Sequence, residues 1–359
     1  MSELDKIKEQ LRAVKKMEIP NWDKGISSGC TLLNLACSGR PDIGYIPGHY
    51  YFLVGDSASG KTWNLLSTLC EASISPLYKN HQLIFDDVEQ GALMDLGKFF
   101  PPLVDRLKSP IAGCSQTVEG FYYNVDVAMD SGPCVYVLDS MDALTTEDEL
   151  SKFAERKKAY QKGKETSGTY GTSKAKLNSA YLRVIHNRLR ETGSILLVVS
   201  QTRDNIGFGS QFQPKTRGGG RALTFYAALE LWTSVYSSIK RTVMGKPREL
   251  GIICQVRVKK NRLTGRDRTI RFPLYHSHGI DDTGACVDWL IEEGHWEEKE
   301  GRIKPPEFDF EGRSEKLIKL IEEQNKEEEL RELVADIWGK IEKAAEVGRK
   351  NRYPSNKKG

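Results

Sequence analysis

The sequence predicts an α/β fold with a mostly parallel central sheet that ends in antiparallel edge strands. Short apolar runs alternate with helical patterns from about residue 29 to residue 200, as expected when helices cover both faces of a parallel sheet. These runs are YYFLV (50–54), QLIFD (82–86), CVYVLD (134–139) and SILLVVSQ (194–201). Three further runs follow without room for long helices, which predicts antiparallel strands: ALELWTSVY (228–236), IICQVRVKK (252–260) and TIRFPLY (269–275).

Both ends of the chain add small helical parts to this core. A short N-terminal helix is predicted over residues 3–17, because apolar side chains recur there at helical spacing: Leu4, Ile7, Leu11 and Val14. Residues 18–28 look like a linker, and helical patterns at 313–324 and 327–347 predict a small C-terminal helical region. The expected division has four parts: an N-terminal helix and linker (1–25), the core (26–300), the C-terminal helical region (301–347) and a basic disordered tail (348–359).

Composition excludes several classes of protein. The 359 residues are 39% hydrophobic and 28% charged, which suits a chain with a buried core and excludes collagen-like or disordered classes. No run approaches the roughly 18 apolar residues of a membrane helix, and the N-terminus lacks the apolar region of a signal peptide. The seven cysteines are scattered without a CxxC pair, which disfavours a disulfide framework or a zinc site. We therefore expect a cytoplasmic protein with no membrane partner.

The net charge of +4 hides a segregation of charge along the chain. Eleven Lys and Arg stand against two acids between residues 152 and 190, and the same counts recur between residues 240 and 271. Residues 292–343 are acidic instead. Such runs are commonly solvated faces of a protein. Two basic blocks around an apolar strand region also suit a polyanionic partner, so both interpretations stay open.

The strongest local pattern is a phosphate-binding loop. Residues 55–62, GDSASGKT, fit G-x-x-x-x-G-K-[ST] at every fixed position and lie between an apolar strand and the helical pattern WNLLSTLCEASI. The glycines let backbone N–H groups curl around a phosphate, and the helix N-terminus adds the positive end of its dipole. Lys61 would reach the β- and γ-phosphates, and the Thr62 hydroxyl would bind Mg²⁺. The other predicted nucleotide-binding residues are Gly55, Asp56, Ser57, Ala58, Ser59 and Gly60.

Polar side chains at the ends of three other predicted strands suit nucleotide hydrolysis, which needs a metal-supporting acid and a group that positions water. Asp139 ends CVYVLD, and Gln201 ends SILLVVSQ. Glu89 closes QLIFDDVE and could polarise the attacking water, with Asp86 and Asp87 as close competitors on spacing alone. Because parallel strands end at one edge of a sheet, these side chains are expected beside the loop, and together they predict an NTPase.

The order and spacing of several segments resemble the RecA-family homologous recombinases. The segments are ISSGCTLLNLACSG (26–39), GDSASGKT (55–62), CVYVLDSMDALT (134–145), VVSQTRDNIGFG (198–209), TRGGGRALTFYA (216–227), VRVKKNR (256–262) and GIDDTGACVDWLIEEGHW (279–296). The resemblance covers roughly residues 26–300 and extends weakly into the C-terminal helices. It implies a P-loop NTPase fold with a RecA-like core, and ATP and Mg²⁺ as cofactors.

The resemblance implies roles for five residues of the nucleotide site. Glu89 matches the glutamate that activates water, and Asp139 matches the acid that supports magnesium. Gln201 matches the glutamine that couples the γ-phosphate to the second DNA-binding loop. Lys260 and Arg262 match two basic residues that reach across a filament interface to a neighbour's ATP.

For recognition of the base, the correspondence is less complete. Tyr275 matches a tyrosine that contacts the base. The aromatic residue that stacks on adenine has no clean match, and Phe99 and Phe100 are the candidates. Thr224 stands where the family usually has a lysine, which puts one contact between subunits in doubt.

Two DNA-binding loops are also implied by the resemblance. The second would run from about residue 206 to residue 220, and the first would fall within 147–178, longer and more basic than the bacterial pattern. Phe208 and Phe212 would either stack between bases or anchor the loop itself. The other residues expected to bind DNA are Arg203, Lys215, Arg217, Gly219, Gly220 and Arg221.

The activity implied is ATP-dependent recombination. The protein would form a helical filament on single-stranded DNA and hydrolyse ATP between adjacent subunits. The bound strand would pair with homologous double-stranded DNA and exchange with one of its strands. The N-terminal helix would pack on the neighbouring core or, alternatively, on its own. Single-strand binding and mediator proteins are expected as further partners. The compact N-terminus and long first loop look more like a phage-encoded recombinase of the UvsX kind, so the expected location is a bacterial or phage-infected host cell.

Two other functions compete with this one. A RecA-fold DNA-dependent ATPase that is not a recombinase, such as a ring helicase or a recombination accessory protein, would share the nucleotide motif. The basic segment after Gln201 and the KKNR block argue against it. A single-strand binding or mediator protein with a degenerate ATPase is disfavoured by the intact Lys61, Thr62 and Asp139.

Overall fold

The computed structural model describes residues 22–162, 173–204 and 215–349. The helix predicted over residues 3–17 and the tail beyond residue 349 lie outside these ranges. No helix within them is long and apolar enough to cross a bilayer.

Twelve strands and eleven α-helices make up the described ranges. The strands are β1 (His49–Gly55), β2 (Gln82–Asp87), β3 (Leu107–Lys108), β4 (Cys134–Asp139), β5 (Ile195–Asp204), β6 (Lys215–Arg217), β7 (Leu229–Val243), β8 (Lys246–Asn261), β9 (Arg268–Tyr275), β10 (Gly279–Ile280), β11 (Glu298–Lys299) and β12 (Arg302–Ile303). The helices are α1 (Thr31–Ser38), α2 (Lys61–Ile74), α3 (Leu96–Phe99), α4 (Pro101–Val104), α5 (Val118–Asp130), α6 (Glu147–Gln161), α7 (Ser173–Thr192), α8 (Arg221–Tyr226), α9 (Asp282–Glu292), α10 (Ser314–Glu323) and α11 (Glu327–Ala344).

Ten strands form one sheet in the order β10-β9-β8-β7-β1-β5-β4-β2-β3, with β6 paired to β5. The strands from β7 to β3 in this order are parallel to their neighbours, whereas β7, β8, β9 and β10 pair antiparallel. The predicted fold class is therefore confirmed. All seven predicted strands are present, and β1, β4 and β5 stand side by side, so their carboxyl ends meet at one edge.

Alternate side chains of the parallel strands fill two separate cores, one on each face of the sheet. On one face, Leu53 and Leu197 pack with α1, α2, α9 and the two C-terminal helices. On the other face, Phe52 and Val198 pack with α5, α7 and α8. Burial on both faces explains why these strands are continuously apolar in sequence.

One expectation about an irregular segment needs correction. Residues 22–28 are part of the folded core and not a free linker, because Ile26 is buried and its N–H bonds the carbonyl of Tyr45 at 2.8 Å. The first DNA-binding loop is expected within 147–178. Helix α6 and the start of α7 take up the two ends of that range, and residues 163–172 between them lie outside the described residues. The N-terminus of α6 is fixed by a capping box, in which the Thr146 and Glu149 side chains each bond the other's backbone N–H.

Candidate nucleotide and DNA site

The loop that joins β1 to α2 carries the phosphate-binding motif. Two of its glycines are required by space and backbone conformation. A Cβ on Gly55 would lie 1.9 Å from Thr233 Oγ1. Gly60 has a φ of +83°, and a Cβ there would lie 2.8 Å from Cys254 Sγ. The loop therefore packs directly on β7 and β8, and its N–H groups lead into the N-terminus of a 14-residue helix, a geometry suited to binding an anion.

Lys61 folds back onto this loop. Its Nζ donates to the carbonyl oxygens of Gly55 at 2.9 Å and Asp56 at 2.5 Å. Burial lowers the pKa of the Lys61 ammonium, and the nearby carboxylates of Asp139 and Glu89 oppose that shift. The cation is thus held inside the loop, where a phosphate would be enclosed.

Thr62 and Asp139 place two oxygen atoms that suit a metal ion side by side next to the loop. The Thr62 hydroxyl donates to Asp139 Oδ2 at 2.7 Å. Burial raises the pKa of the Asp139 carboxyl, whereas the hydrogen bond from Thr62 lowers it. A hydroxyl and a carboxylate are the hard oxygen ligands that Mg²⁺ takes, usually with phosphate oxygens and water as its remaining ligands, so this pair fits the ion.

Three acidic residues lie at the end of β2 or just beyond it, and their surroundings differ. Asp86 is fully buried and accepts hydrogen bonds from the Ser115 N–H, the Ser115 hydroxyl and the Tyr136 hydroxyl. Asp87 accepts two backbone N–H groups of the following turn, at 3.0 and 3.1 Å. Glu89 lies two residues beyond the end of the strand, not within it, and its side chain is exposed. Of the three, Glu89 is therefore the carboxylate with access to an attacking water.

Glu89 and Gln201 meet across the edge of the sheet. Gln201 Nε2 donates to Glu89 Oε1 at 2.9 Å, and the hydroxyl of Ser140, next to Asp139, donates to the same oxygen. The backbone N–H of Gln201 in turn donates to Asp142 Oδ2 at 2.7 Å. The residues just beyond β2 and β4, and the last residue of β5 that pairs with β1, thus meet at one carboxylate.

Lys260 and Arg262 lie toward the amino-terminal ends of the parallel strands, whereas the phosphate-binding loop lies at their carboxyl ends. Lys260 is in register with Glu230 of β7, which is in register with Phe52, three residues before Gly55 along β1. That separation is about 10 Å along the strand direction. Lys260 Nζ donates to the carbonyls of Thr224 and Phe225 at 2.5 and 2.9 Å, and Arg262 donates to that of Phe225 at 2.7 Å. Both cations therefore point away from the loop of their own chain.

Comparison with known proteins identifies the family of the chain. The family model described as RecA N-terminal domain matches residues 10–281, which is most of the chain. The chain belongs to the RecA family.

Proteins named Protein RecA are among its curated relatives. Those of Streptomyces venezuelae and Rickettsia bellii are 28% identical over 275 and 274 residues, and that of Prochlorococcus marinus is 29% identical over 284 residues. The alignments cover 75–77% of this chain. They span 64% of the Streptomyces protein, 70% of the Prochlorococcus protein and 71% of the Rickettsia protein.

The aromatic residues considered for base recognition pack near the first turn of α2. Tyr275 ends β9 opposite Gly279 of β10, and a Cβ on Gly279 would lie 2.9 Å from the ring of Trp63. Trp63 contacts Phe99 edge-on, with ring centroids 4.9 Å apart, and Phe100 at 5.5 Å. Phe100 is buried, so of the two candidates Phe99 is the more accessible.

The segment expected to bind DNA leaves the nucleotide site through β5 and returns through β6. The two strands pair antiparallel, with Arg203 opposite Thr216 and Arg217 opposite Thr202. Lys215 lies opposite Asp204 in the same ladder, whereas Phe208 and Phe212 lie outside the described residues.

The segment ends against α7 and α8. The side chain of Asn178 donates to the Gly219 carbonyl at 3.0 Å, and a Cβ on Gly220 would lie 2.6 Å from the Cβ of Ala175. Arg221, the first residue of α8, is exposed. Gly219 and Gly220 therefore serve close packing onto α7, with φ angles of +79° and +86°.

Three residues of the site were missed by sequence reasoning: Ser140, Asp142 and Thr202. Each makes its contact with a residue distant in sequence, and Thr202 donates to the Asp56 carboxylate of the phosphate-binding loop. Only Asp142 had a signal in the sequence, as a second acid in LDSMDAL, three residues after Asp139.

Proposed function

We propose that this protein is an ATP-dependent DNA recombinase, which assembles as a helical filament on single-stranded DNA and promotes pairing and strand exchange with double-stranded DNA. The observation that carries the proposal is the 2.9 Å hydrogen bond from Gln201 to Glu89. It joins the carboxylate best placed to activate water to the strand that leads into the basic segment. Membership of the RecA family supports the same conclusion.

In the proposed reaction, the loop N–H groups and Lys61 hold the phosphates of ATP. Mg²⁺ held by Thr62 and Asp139 would neutralise charge on the β- and γ-phosphates. Glu89 accepts a proton from the attacking water, and Gln201 holds Glu89 by donating to it. Tyr275, with Trp63 nearby, is the proposed contact for the base.

ATP is proposed to be hydrolysed between subunits. Lys260 and Arg262 are directed to the edge of the sheet opposite their own loop, so a second subunit stacked head to tail is the geometry in which they would serve a phosphate site. Because bound ATP would then bridge the interface, assembly becomes dependent on nucleotide. The N-terminal helix over residues 3–17 is the proposed second contact between subunits.

DNA is proposed to bind at the same edge of the sheet as ATP. The β5–β6 ribbon carries Arg203, Lys215 and Arg217 in its backbone ladder. Helix α6 offers a second surface: none of its residues is buried, and its Phe153 and Tyr160 are 69% and 87% exposed. Rings that stack on bases, beside lysines that neutralise phosphates, are typical of binding to single-stranded DNA without sequence preference.

The chain is also proposed to have four parts as expected from sequence, except that residues 22–25 join the core, and the core and the C-terminal helices are in close contact. The C-terminal residues Leu317, Val334 and Trp338 belong to the same buried cluster as the core. Trp338 packs against Trp289 of α9 with ring centroids 5.6 Å apart.

The decisive test measures ATP turnover with and without single-stranded DNA, together with electron microscopy. We expect DNA to stimulate turnover and open helical filaments to form with a non-hydrolysable ATP analogue. Lys61→Ala should lower turnover about 10²–10³-fold, because one preorganised cation is lost from the phosphates. Closed rings would favour a ring helicase, and unchanged turnover in Lys61→Ala would mean that the active site lies elsewhere.

Assembly should also depend on pH through Lys260. Burial and the neighbouring charge of Arg262 lower the pKa of the Lys260 ammonium to about 8, and Glu230 partly opposes this. Below pH 8 the side chain is charged and ready to bind phosphate, whereas above pH 8 it must first take up a proton. The ATP concentration for half-maximal assembly should therefore rise by up to about tenfold per pH unit above 8.

Lys260→Arg is the matched variant for this pH dependence, because a guanidinium stays charged throughout the range. Light scattering between pH 7 and pH 9.5 would follow assembly of both proteins. We expect the slope above pH 8 to vanish in the variant, and the same slope in both proteins would contradict the role of Lys260.

A further inference from the structure

Where β5 passes from its pairing with β1 to its pairing with β6, it is held by side chains from two different elements. From the loop after β4, Asp142 Oδ2 accepts the Ser200 hydroxyl at 2.6 Å and the Gln201 N–H at 2.7 Å. From the phosphate-binding loop, Asp56 Oδ1 accepts the hydroxyl of Thr202. Three consecutive residues of one strand are thus fixed at the point where the strand leaves the nucleotide site.

Asp56 is itself fixed by the loop that would enclose the phosphates. Its backbone carbonyl accepts Lys61 Nζ at 2.5 Å and the Ser59 hydroxyl at 2.7 Å. Ser59 is buried and also shares a hydrogen bond of 2.7 Å with Thr233 of β7. A change in the loop on binding phosphate would therefore be transmitted to the Asp56 side chain.

Thr202 belongs to the DNA-binding segment by its backbone. It lies opposite Arg217 in the β5–β6 ladder, one pair before Arg203 and Thr216. A single residue thus contacts the phosphate-binding loop through its hydroxyl and the basic ribbon through its main chain. The Gln201 side chain makes a different connection, to Glu89.

We propose that the hydrogen bond between Asp56 and Thr202 couples nucleotide binding to DNA binding, in parallel with Gln201. The inference rests on the proposed function, because it assumes that ATP occupies the loop and that DNA binds the β5–β6 ribbon. Occupancy of the loop by phosphates sets the position of Asp56, and Asp56 sets the position of Thr202 and of the ribbon. Coupling between two sites is reciprocal, so DNA on the ribbon strengthens nucleotide binding by the same factor. Thr202 is a positioning residue in this scheme, with no contact to either ligand.

The coupling is measured as the ratio of two dissociation constants for a fluorescein-labelled oligothymidylate, without nucleotide and with a non-hydrolysable ATP analogue. Thr202→Val removes the hydroxyl and keeps a β-branched side chain suited to a strand. We expect it to lower the ratio at least about fivefold, the lower end of typical coupling between sites. Thr202→Ser retains a hydroxyl and should keep the ratio within about twofold.

A double-mutant cycle separates this hydrogen bond from a general loosening of the fold. Asp56→Ala removes the acceptor and leaves the backbone carbonyl that holds Lys61, so it tests the same contact even where Thr202→Val folds poorly. If the two residues act through one bond, the double variant should lose no more coupling than either single variant.

Three results would overturn the inference: an unchanged ratio in Thr202→Val, an equal loss in Thr202→Ser, or additive losses in the cycle. Each of these presupposes that the wild-type protein binds DNA more tightly with the analogue. If the wild-type ratio is one, or if the oligonucleotide does not bind, the proposed function fails as well. If the wild-type ratio exceeds one and the variants behave in one of the three ways above, only the inference about Asp56 and Thr202 fails.

Discussion

The Lys260→Ala/Arg262→Ala double variant is expected to lose about 10³-fold in DNA-dependent ATP turnover, the lower end of the effect of an arginine supplied to a phosphate in trans. Its own phosphate-binding loop remains intact, so fluorescent ATP should still bind to it. The loss arises because charge that develops on the transferred phosphate is no longer neutralised by the neighbouring subunit. Steady-state phosphate release on single-stranded DNA measures the effect.

A mixing experiment tests whether the two cations act across an interface. The double variant is mixed with Glu89→Gln, which keeps both cations but lacks the carboxylate proposed to activate water. Each protein alone should be inactive. The equimolar mixture should regain activity, because random head-to-tail assembly places the two intact halves together at about one interface in four.

The control for the double variant is Lys259→Ala, which removes the adjacent cation of β8. Lys259 Nζ lies 4.1 Å from the centroid of the Trp232 ring, whereas Lys260 Nζ donates to the carbonyls of Thr224 and Phe225. We expect its turnover to stay within about twofold of wild type, as for a surface charge of small energetic effect. A mixture that assembles into filaments and regains no activity would place Lys260 and Arg262 in their own subunit's site or outside catalysis.

The parts of the site that sequence predicts are those that depend on strand ends alone. Asp139 directly follows an unbroken apolar run, and Gln201 lies two residues beyond another, where β5 stops pairing with β1. Parallel strands must bring such residues to one edge of the sheet. The phosphate-binding loop also follows an apolar strand, and its motif fixes its glycines. Gly55 and Gly60 tolerate no side chain where the loop packs on β7 and β8. Strand order decides only which of these ends are neighbours.

Contacts between residues distant in sequence could not be predicted. Spacing alone left Asp86 and Asp87 as close competitors of Glu89, and the fold separates the three through the neighbours that it provides. Ser115 and Tyr136 donate hydrogen bonds to the Asp86 carboxylate, whereas Gln201 donates one to the Glu89 carboxylate. Likewise, the register of β7 with β8 places Lys260 away from its own loop, and no motif in the sequence carries that register.

Helix α6 was missed for a different reason. Its sequence, EDELSKFAERKKAYQ, is so polar that it resembles a solvated loop, and the structure buries none of its residues. The cue that was available is Thr146 followed three residues later by Glu149, the signature of a capping box at a helix start. A local hydrogen-bond pattern therefore decided the structure of a segment that the hydrophobic pattern could not.

The second large effect is expected at Glu89, just beyond the end of β2. Glu89→Gln should lower ATP turnover about 10²–10⁴-fold, the usual contribution of a general base, with nucleotide affinity retained. An amide oxygen can still accept the hydrogen bonds from Ser140 and Gln201, so the geometry of the site should persist while its ability to accept a proton is lost. Turnover on single-stranded DNA and binding of fluorescent ATP measure the two quantities separately.

Asp86→Asn is the matched control, because it makes the same chemical change three residues away. The amide presents an N–H either to the backbone N–H of Ser115, which cannot accept, or to the hydroxyls of Ser115 and Tyr136, which must then turn to accept. Either arrangement loses hydrogen bonds to a buried carboxylate, at a cost of about 1–3 kcal/mol in the free energy of unfolding. We therefore expect a lower melting temperature for this variant and nearly normal turnover per folded molecule. The opposite pattern, with turnover lost in Asp86→Asn and kept in Glu89→Gln, would move the general base to Asp86. In that case the 2.9 Å contact between Gln201 and Glu89 would lose its catalytic meaning, because it would no longer lead to the reacting water.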